Sequence, residues 1–228
     1  PSVSGDDLCF AQLDDDSKHE TVKCLDANTG KEKWSHTYEV PPIWHVGWGE
    51  LGVRATPTIT DKYVYALGTF GHGFCFQRKT GKIVWEKGVH RGVPKHGHHL
   101  KNSLASETPV TDGERVYAYI GNVGLFCFDF EGNLLWSKRW ESVPTRFGWG
   151  TAASPVLHGE RIYVVNDNEQ DSFLVALDKK TGERIWRVER DEKSNWATPF
   201  IWENELRTEI VTPRTGKTRS YGLDSELL

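Results

Sequence analysis

The 228-residue chain has no methionine, and neither sign of charge is in real excess: 28 lysines and arginines stand against 32 aspartates and glutamates. A net charge of −4 offers no positive field to a polyanion, which argues against nucleic acid as a main partner. No apolar run approaches the roughly 18 residues that cross a bilayer as a helix, so no membrane span is expected. Without a start residue, the chain is expected to be processed, trimmed or part of a longer protein, with any targeting segment out of view. Familiar catalytic signatures are also missing. There is no phosphate-binding Gly-x-x-x-x-Gly-Lys loop, no Gly-x-Ser-x-Gly elbow and no His-Glu-x-x-His pair. No Gly-x-Gly-x-x-Gly run follows a strand and opens a helix.

What is present is one phrase written four times, with the opening of a fifth. CLDANTGKEKW runs from Cys24 to Trp34, CFQRKTGKIVW from Cys75 to Trp85, CFDFEGNLLW from Cys127 to Trp136 and ALDKKTGERIW from Ala176 to Trp186. The fifth copy begins as YGLDSELL and reaches Leu228 one residue short of its tryptophan. The tryptophans lie 51, 51 and 50 residues apart. A repeat of this length built of short strands and turns predicts the blades of a β-propeller.

A second landmark precedes each phrase: ATPTITDKYVYALG (55–68), ETPVTDGERVYAYIG (107–121), ASPVLHGERIYVVN (153–166) and ATPFIWENELRTEIV (197–211). Four strands per unit follow. Proline sits at the start of the first, where its missing N–H does no harm. A polar turn leads to an alternating aromatic strand, then an apolar strand ending in Leu-Asp, then the tryptophan strand. The turn before the tryptophan strand holds Gly30, Gly81, Gly132 or Gly182, each expected to supply a positive φ. Asp26, Asp129, Asp178 and Asp224 are expected at the turn entry, accepting its N–H groups, with Gln77 substituting in the second copy. Trp34, Trp85, Trp136 and Trp186 are expected to pack between neighbouring blades as scaffold. Cys24, Cys75 and Cys127 share the slot that Ala176 fills, which marks a small core residue, and equivalent slots on successive blades are too far apart for a disulfide.

The pattern Ala-x-Asp-x-x-Thr-Gly-x-x-x-Trp, matched in full by Ala176 to Trp186, resembles the tryptophan-docking repeat of pyrroloquinoline-quinone (PQQ)-like propellers. The resemblance covers essentially the whole chain and implies an all-β propeller of four-stranded antiparallel blades. Five units are counted, at about 1–34, 55–85, 107–136, 153–186 and 197–228, as one domain. The resemblance implies a larger ring of seven or eight blades and an extracytoplasmic, periplasmic setting. Its catalytic members are quinoprotein alcohol dehydrogenases, which hold PQQ with calcium and carry a disulfide between adjacent cysteines; no two cysteines are adjacent here. No cofactor is therefore predicted.

Function is expected where the repeat breaks, on the face bearing the long second-to-third-strand loops and blade connections. Trp44, His45, Trp48, Arg54, Asn102, Arg146, Trp149, Asn195 and Trp196 fall in these segments and are the candidate ligand-binding residues. Tryptophan beside arginine suits a protein segment, a polymer or a carbohydrate-like ligand. His96, His98 and His99, with His90 nearby, are weak metal candidates, because no cysteine or carboxylate completes a known spacing. Asp14–Asp16 and Asn166–Asp171 are expected at polar hairpin tips. The expectation is a non-catalytic binding scaffold. The alternative is a PQQ-dependent oxidoreductase or metal-dependent propeller enzyme with part of its site in further blades.

Overall fold

A computed structural model describes residues 1–41, 52–90, 96, 99, 102–213 and 217–228. Among these the chain is all-β and folds into five antiparallel sheets in chain order. The first holds strands Ser2–Ser4, Asp7–Leu13, His19–Asp26 and Glu32–Glu39; the second Thr58–Ile59, Tyr63–Leu67, His72–Gln77 and Ile83–Gly88. The third holds Val110–Thr111, Arg115–Ile120, Gly124–Asp129 and Leu134–Arg139; the fourth Val156–His158, Arg161–Asn166, Phe173–Asp178 and Arg184–Glu189. The fifth has three strands, Phe200–Glu203, Thr208–Pro213 and Thr218–Gly222. Each sheet is a simple meander in which every strand pairs with its chain neighbours.

The middle strands form the core. Tyr65, Tyr117 and Tyr163 sit opposite Cys75, Cys127 and Ala176, all wholly buried or nearly so. A bulge recurs one step past the cysteine slot, where the tryptophan strand gains a residue: Cys24 pairs with Trp34 but Leu25 with Glu32. The same irregularity follows Cys75, Cys127 and Ala176. An extra residue twists the edge strand locally.

Each tryptophan reaches the sheet that follows it. The indole Nε1 of Trp34 donates to the Arg78 carbonyl (2.8 Å), Trp85 to Phe130 (3.0 Å), Trp136 to Lys179 (3.2 Å) and Trp186 to Leu223 (2.8 Å). The rings lie against the next turn's glycine. A Cβ on Gly81 would come within 2.6 Å of Trp34, one on Gly132 within 2.7 Å of Trp85, and one on Gly182 within 2.5 Å of Trp136. These glycines also hold φ of 67, 82 and 72°, the left-handed region. Two demands, backbone conformation and ring clearance, meet on one residue.

Asp26, Asp129 and Asp178 accept turn amides at 2.7–2.8 Å from Thr29, Asn133 and Thr181, as expected. Gln77 accepts from the Thr80 hydroxyl (2.9 Å). Asp224 does not fill this slot. Gly222 does: its amide donates to the Glu226 carbonyl and its carbonyl accepts from Ser225, as Asp129 does with Asn133 and Gly132. Ser225 takes the left-handed position at φ 81°, and Asp224 instead pairs with Arg161 at 3.2 Å. Matching Leu-Asp to Leu-Asp displaces the fifth copy by two residues. The strand register, with Ile210 opposite Tyr221, places it correctly.

Candidate functional site: an aromatic shelf on the connecting loops

The connection after the third sheet makes a tight loop. Thr145, buried, accepts the Gly148 amide on its carbonyl (2.9 Å) and the Gly150 amide on its hydroxyl (2.8 Å). Phe147 (φ 55°), Gly148 (67°) and Gly150 (78°) are all left-handed, so the chain folds back and throws its side chains outward. The Arg146 amide donates to the Ser194 hydroxyl (2.8 Å), and that hydroxyl donates to Glu169 (2.8 Å), which fixes the loop to the next connection. These bonds draw the Glu169 carboxyl below its usual range, the Ser194 hydroxyl contributing most.

Three aromatic rings line up here. Phe147 is 74% exposed and Trp149 39%. Phe147 and Trp149 have ring centres 5.5 Å apart, and Trp149 and Trp196 are 5.4 Å apart. The Arg146 guanidinium lies 5.0 Å from the centre of the Phe147 ring. His99 meets Trp149 edge-on at 5.6 Å. The shelf is anchored beneath: Trp196 donates Nε1 to the Gly150 carbonyl (2.8 Å), and Asn102 donates Nδ2 to the carbonyls of Trp149 (2.9 Å) and Thr151 (3.1 Å). The Asn102 Oδ1 accepts the Ser103 amide (3.0 Å) and the Ser106 hydroxyl.

A carboxylate lies below this anchor. Glu107 is buried, its Oε1 accepts the Gly121 amide (3.1 Å), and its Oε2 has no hydrogen-bond partner among the described residues. Burial pushes its carboxyl up to about 7, with the Thr151 hydroxyl pulling the other way.

The structure thus brings Asn102, Arg146, Trp149 and Trp196 together. Asn195 stands beside them as a brace, donating to the Pro213 carbonyl and accepting the Ala197 amide (3.2 Å). Arg54 is exposed elsewhere, at a shallow cleft shared with Leu8, Phe10 and Pro57. Trp44, His45, Trp48 and His98 lie outside the described residues. Phe147 is the functional candidate that sequence reading missed; its place directly before the Gly148-Trp149-Gly150 run was the available signal. Among the described residues no three His, Cys, Asp or Glu side chains converge as a metal set, and His99 is engaged with Trp149.

The acidic runs divide. Asp16 accepts the Lys18 amide (2.8 Å) and meets His19 at a polar tip. Asn166, Asp167 and Asn168 do stand at the end of a hairpin, where Asn166 pairs with Phe173, but all three are buried. Asp167 takes both prongs of Arg190 (2.8 and 3.0 Å), and the other Arg190 nitrogen reaches Thr212 (2.9 Å) and Tyr221 (2.8 Å) in the fifth sheet. A buried charge needs such full pairing, and the two loops supply it.

The family model described as "Outer membrane protein assembly factor BamB" matches residues 18–212. The chain belongs to this PQQ-like repeat family. Within it, BamB of Kangiella koreensis is 24% identical over 200 residues, covering 86% of this chain and 44% of the relative. The quinoprotein ethanol dehydrogenase of Pseudomonas putida is 20% identical over 185 residues, covering 69% of this chain and 28% of the enzyme. Among solved structures, BamB from Moraxella catarrhalis aligns with TM-score 0.64 and 17% identity over 99% of this chain and 61% of its own. A europium-containing methanol dehydrogenase aligns with TM-score 0.73 and 12% identity over 99% and 49%. These likenesses show the propeller fold. The chain spans less than half the length of these curated relatives.

The dehydrogenases raise PQQ with a metal ion as a candidate group. The described residues do not fit it: no acidic or histidine set converges, and the four cysteines are free, buried and non-adjacent. No helix among the described residues is long and apolar enough to cross a membrane.

Proposed function

We propose that this propeller is a binding scaffold rather than an enzyme, and that a segment of another protein lies across Phe147, Trp149 and Trp196. The observation that carries this is the exposure of Phe147 on a strained backbone. A left-handed conformation costs a residue with a β-carbon roughly 1–2 kcal/mol. An exposed ring recovers little of that through packing, and such strain concentrates where a protein binds. Aromatic and arginine side chains dominate the energy of protein interfaces, and Arg146 flanks the shelf. The relative named as an outer membrane protein assembly factor supports a protein ligand. Nothing comparable favours a carbohydrate-like one.

We further place the protein outside the cytoplasm, and read residues 1–228 as one domain of a larger propeller. Trp44, His45 and Trp48, which lie outside the described residues, and Arg54 stay candidate ligand-binding residues in this reading. The quinoprotein alternative has the named dehydrogenases behind it.

One experiment separates the two. The protein is panned against a displayed random-peptide library, and the best peptides are titrated against the parent and the Phe147→Ala/Trp149→Ala variant. In parallel, the parent is incubated with PQQ and calcium, and quinone absorbance and dye-linked alcohol oxidation are recorded. A loss of at least about tenfold in peptide affinity, equivalent to about 1.4 kcal/mol, supports the scaffold. Unchanged peptide affinity in the variant, or stoichiometric quinone uptake with turnover, overturns it.

A further inference from the structure

Cys9 departs from the repeat. At its position the second, third and fourth sheets carry Tyr65, Tyr117 and Tyr163, opposite Cys75, Cys127 and Ala176. In the first sheet the pair is Cys9 opposite Cys24. Both side chains are wholly buried. Cys75 and Cys127 have no such neighbour. They lie in separate sheets, each facing a tyrosine.

The ladder decides the geometry. The Ala27 amide donates to the Asp6 carbonyl (2.9 Å), one register step beyond the Asp7–Asp26 pair. Hydrogen-bonded and non-hydrogen-bonded pairs alternate along an antiparallel ladder. Counting three steps inward makes Cys9–Cys24 a non-hydrogen-bonded pair. Such pairs hold their Cα atoms about 4.5 Å apart with the side chains on one face, within the range of about 4.4–6.8 Å that disulfides span.

We propose that Cys9 and Cys24 are a disulfide site, joined in an oxidising setting as a cross-strand bridge within the first sheet. The oxidant is another disulfide, either glutathione disulfide or that of a dithiol oxidoreductase. One protein thiolate attacks it and expels a thiolate, and the second protein thiolate then resolves the mixed disulfide. In total the two cysteines lose two electrons and two protons, and the donor disulfide becomes two thiols. Val64, Ala66, Phe74 and Phe76 of the second sheet pack against this pair. Burial also pushes both thiols up, away from the reactive thiolate. The bridge therefore forms while the hairpin is still open, before the second sheet covers it.

The test counts thiols. The reduced, unfolded chain is refolded in a glutathione redox buffer, unfolded again in denaturant with an alkylating agent, weighed, and digested with trypsin without reductant. Two alkylated cysteines instead of four are expected, with the tryptic peptide ending at Lys18 joined to residues 24–31. The Cys75→Ser/Cys127→Ser variant is expected to form the same joined peptide. Four alkylated cysteines in refolded protein, or a bridge to Cys75 or Cys127, overturns the proposal. If the chain does not refold, the same count on protein exported to an oxidising compartment and alkylated on lysis decides by the same two outcomes.

Discussion

The indole of Trp85 lies on Gly132 of the following sheet, so close that a single added carbon would sit 2.7 Å from the ring. The Trp85 Nε1 bonds to the Phe130 carbonyl two residues before that glycine, so one turn offers both a floor and an acceptor. Gly30 has the same left-handed conformation, φ 70°, but nothing among the described residues lies within 4 Å of where its Cβ would stand.

That contrast predicts unequal costs for one substitution. Gly30→Ala bears only the conformational penalty, about 1 kcal/mol. Gly132→Ala adds a clash that displaces a buried indole, for a total of about 2–4 kcal/mol. Urea unfolding of the two variants checks this, and equal midpoints would mean that ring contact plays no part.

Arg190 and Asp167 predict a strong coupling. Neither side chain has any solvent exposure. Arg190→Met leaves Asp167 as an uncompensated buried carboxylate, at a cost of about 3–5 kcal/mol. Adding Asp167→Asn to it is expected to recover part of that loss. A double-mutant cycle by chemical denaturation measures the coupling, and additive losses would show the pair to be independent.

Glu107 predicts a fall in stability with rising pH. Its folded value is pushed up to about 7 against an ordinary 4.5, so the native state holds its proton longer than the unfolded chain does. The stabilisation is complete below about 4.5, declines as pH rises and is gone once pH passes about 7. The full swing is on the order of 3 kcal/mol. Glu107→Gln should flatten this part of the profile and be the more stable protein at pH 8. Denaturation midpoints at pH 5 and pH 8 test it, and parallel profiles for parent and variant would rule the assignment out.

Phe147 predicts a trade between stability and binding. Phe147→Gly relieves the left-handed strain and should raise stability by up to about 1 kcal/mol, because the lost ring is largely exposed. The same variant should weaken binding of a peptide selected on the parent. A variant that is less stable than the parent would show that the ring is held for packing.

Much of the scaffold was legible because it recurs. The tryptophan, the turn glycine and the cysteine slot are set by neighbours a fixed distance along the chain, and the repeat displays that distance four times. The fifth copy shows the limit: its Leu-Asp invites one alignment, while the strand pairing imposes another, with Gly222 in the aspartate's place. The candidate site was half legible. Trp149, Trp196, Arg146 and Asn102 stood out as residues outside the repeat, but Phe147 did not, since its exposure depends on a backbone conformation that its own identity disfavours.

The sequence alone determined the repeat, the strand count per unit and the docking tryptophans, because hydrophobic alternation and turn chemistry act over a few residues. Only the tertiary structure decided which loop residues meet. Trp149 and Trp196 are 47 positions apart in the chain and 5.4 Å apart in space. Asp167 reads as a solvated tip residue until Arg190 is seen closing over it. Cys9 faces Cys24 because the first hairpin's register puts them opposite one another. In each case the deciding contact joins segments with no shared local pattern, and three-dimensional packing alone specifies it.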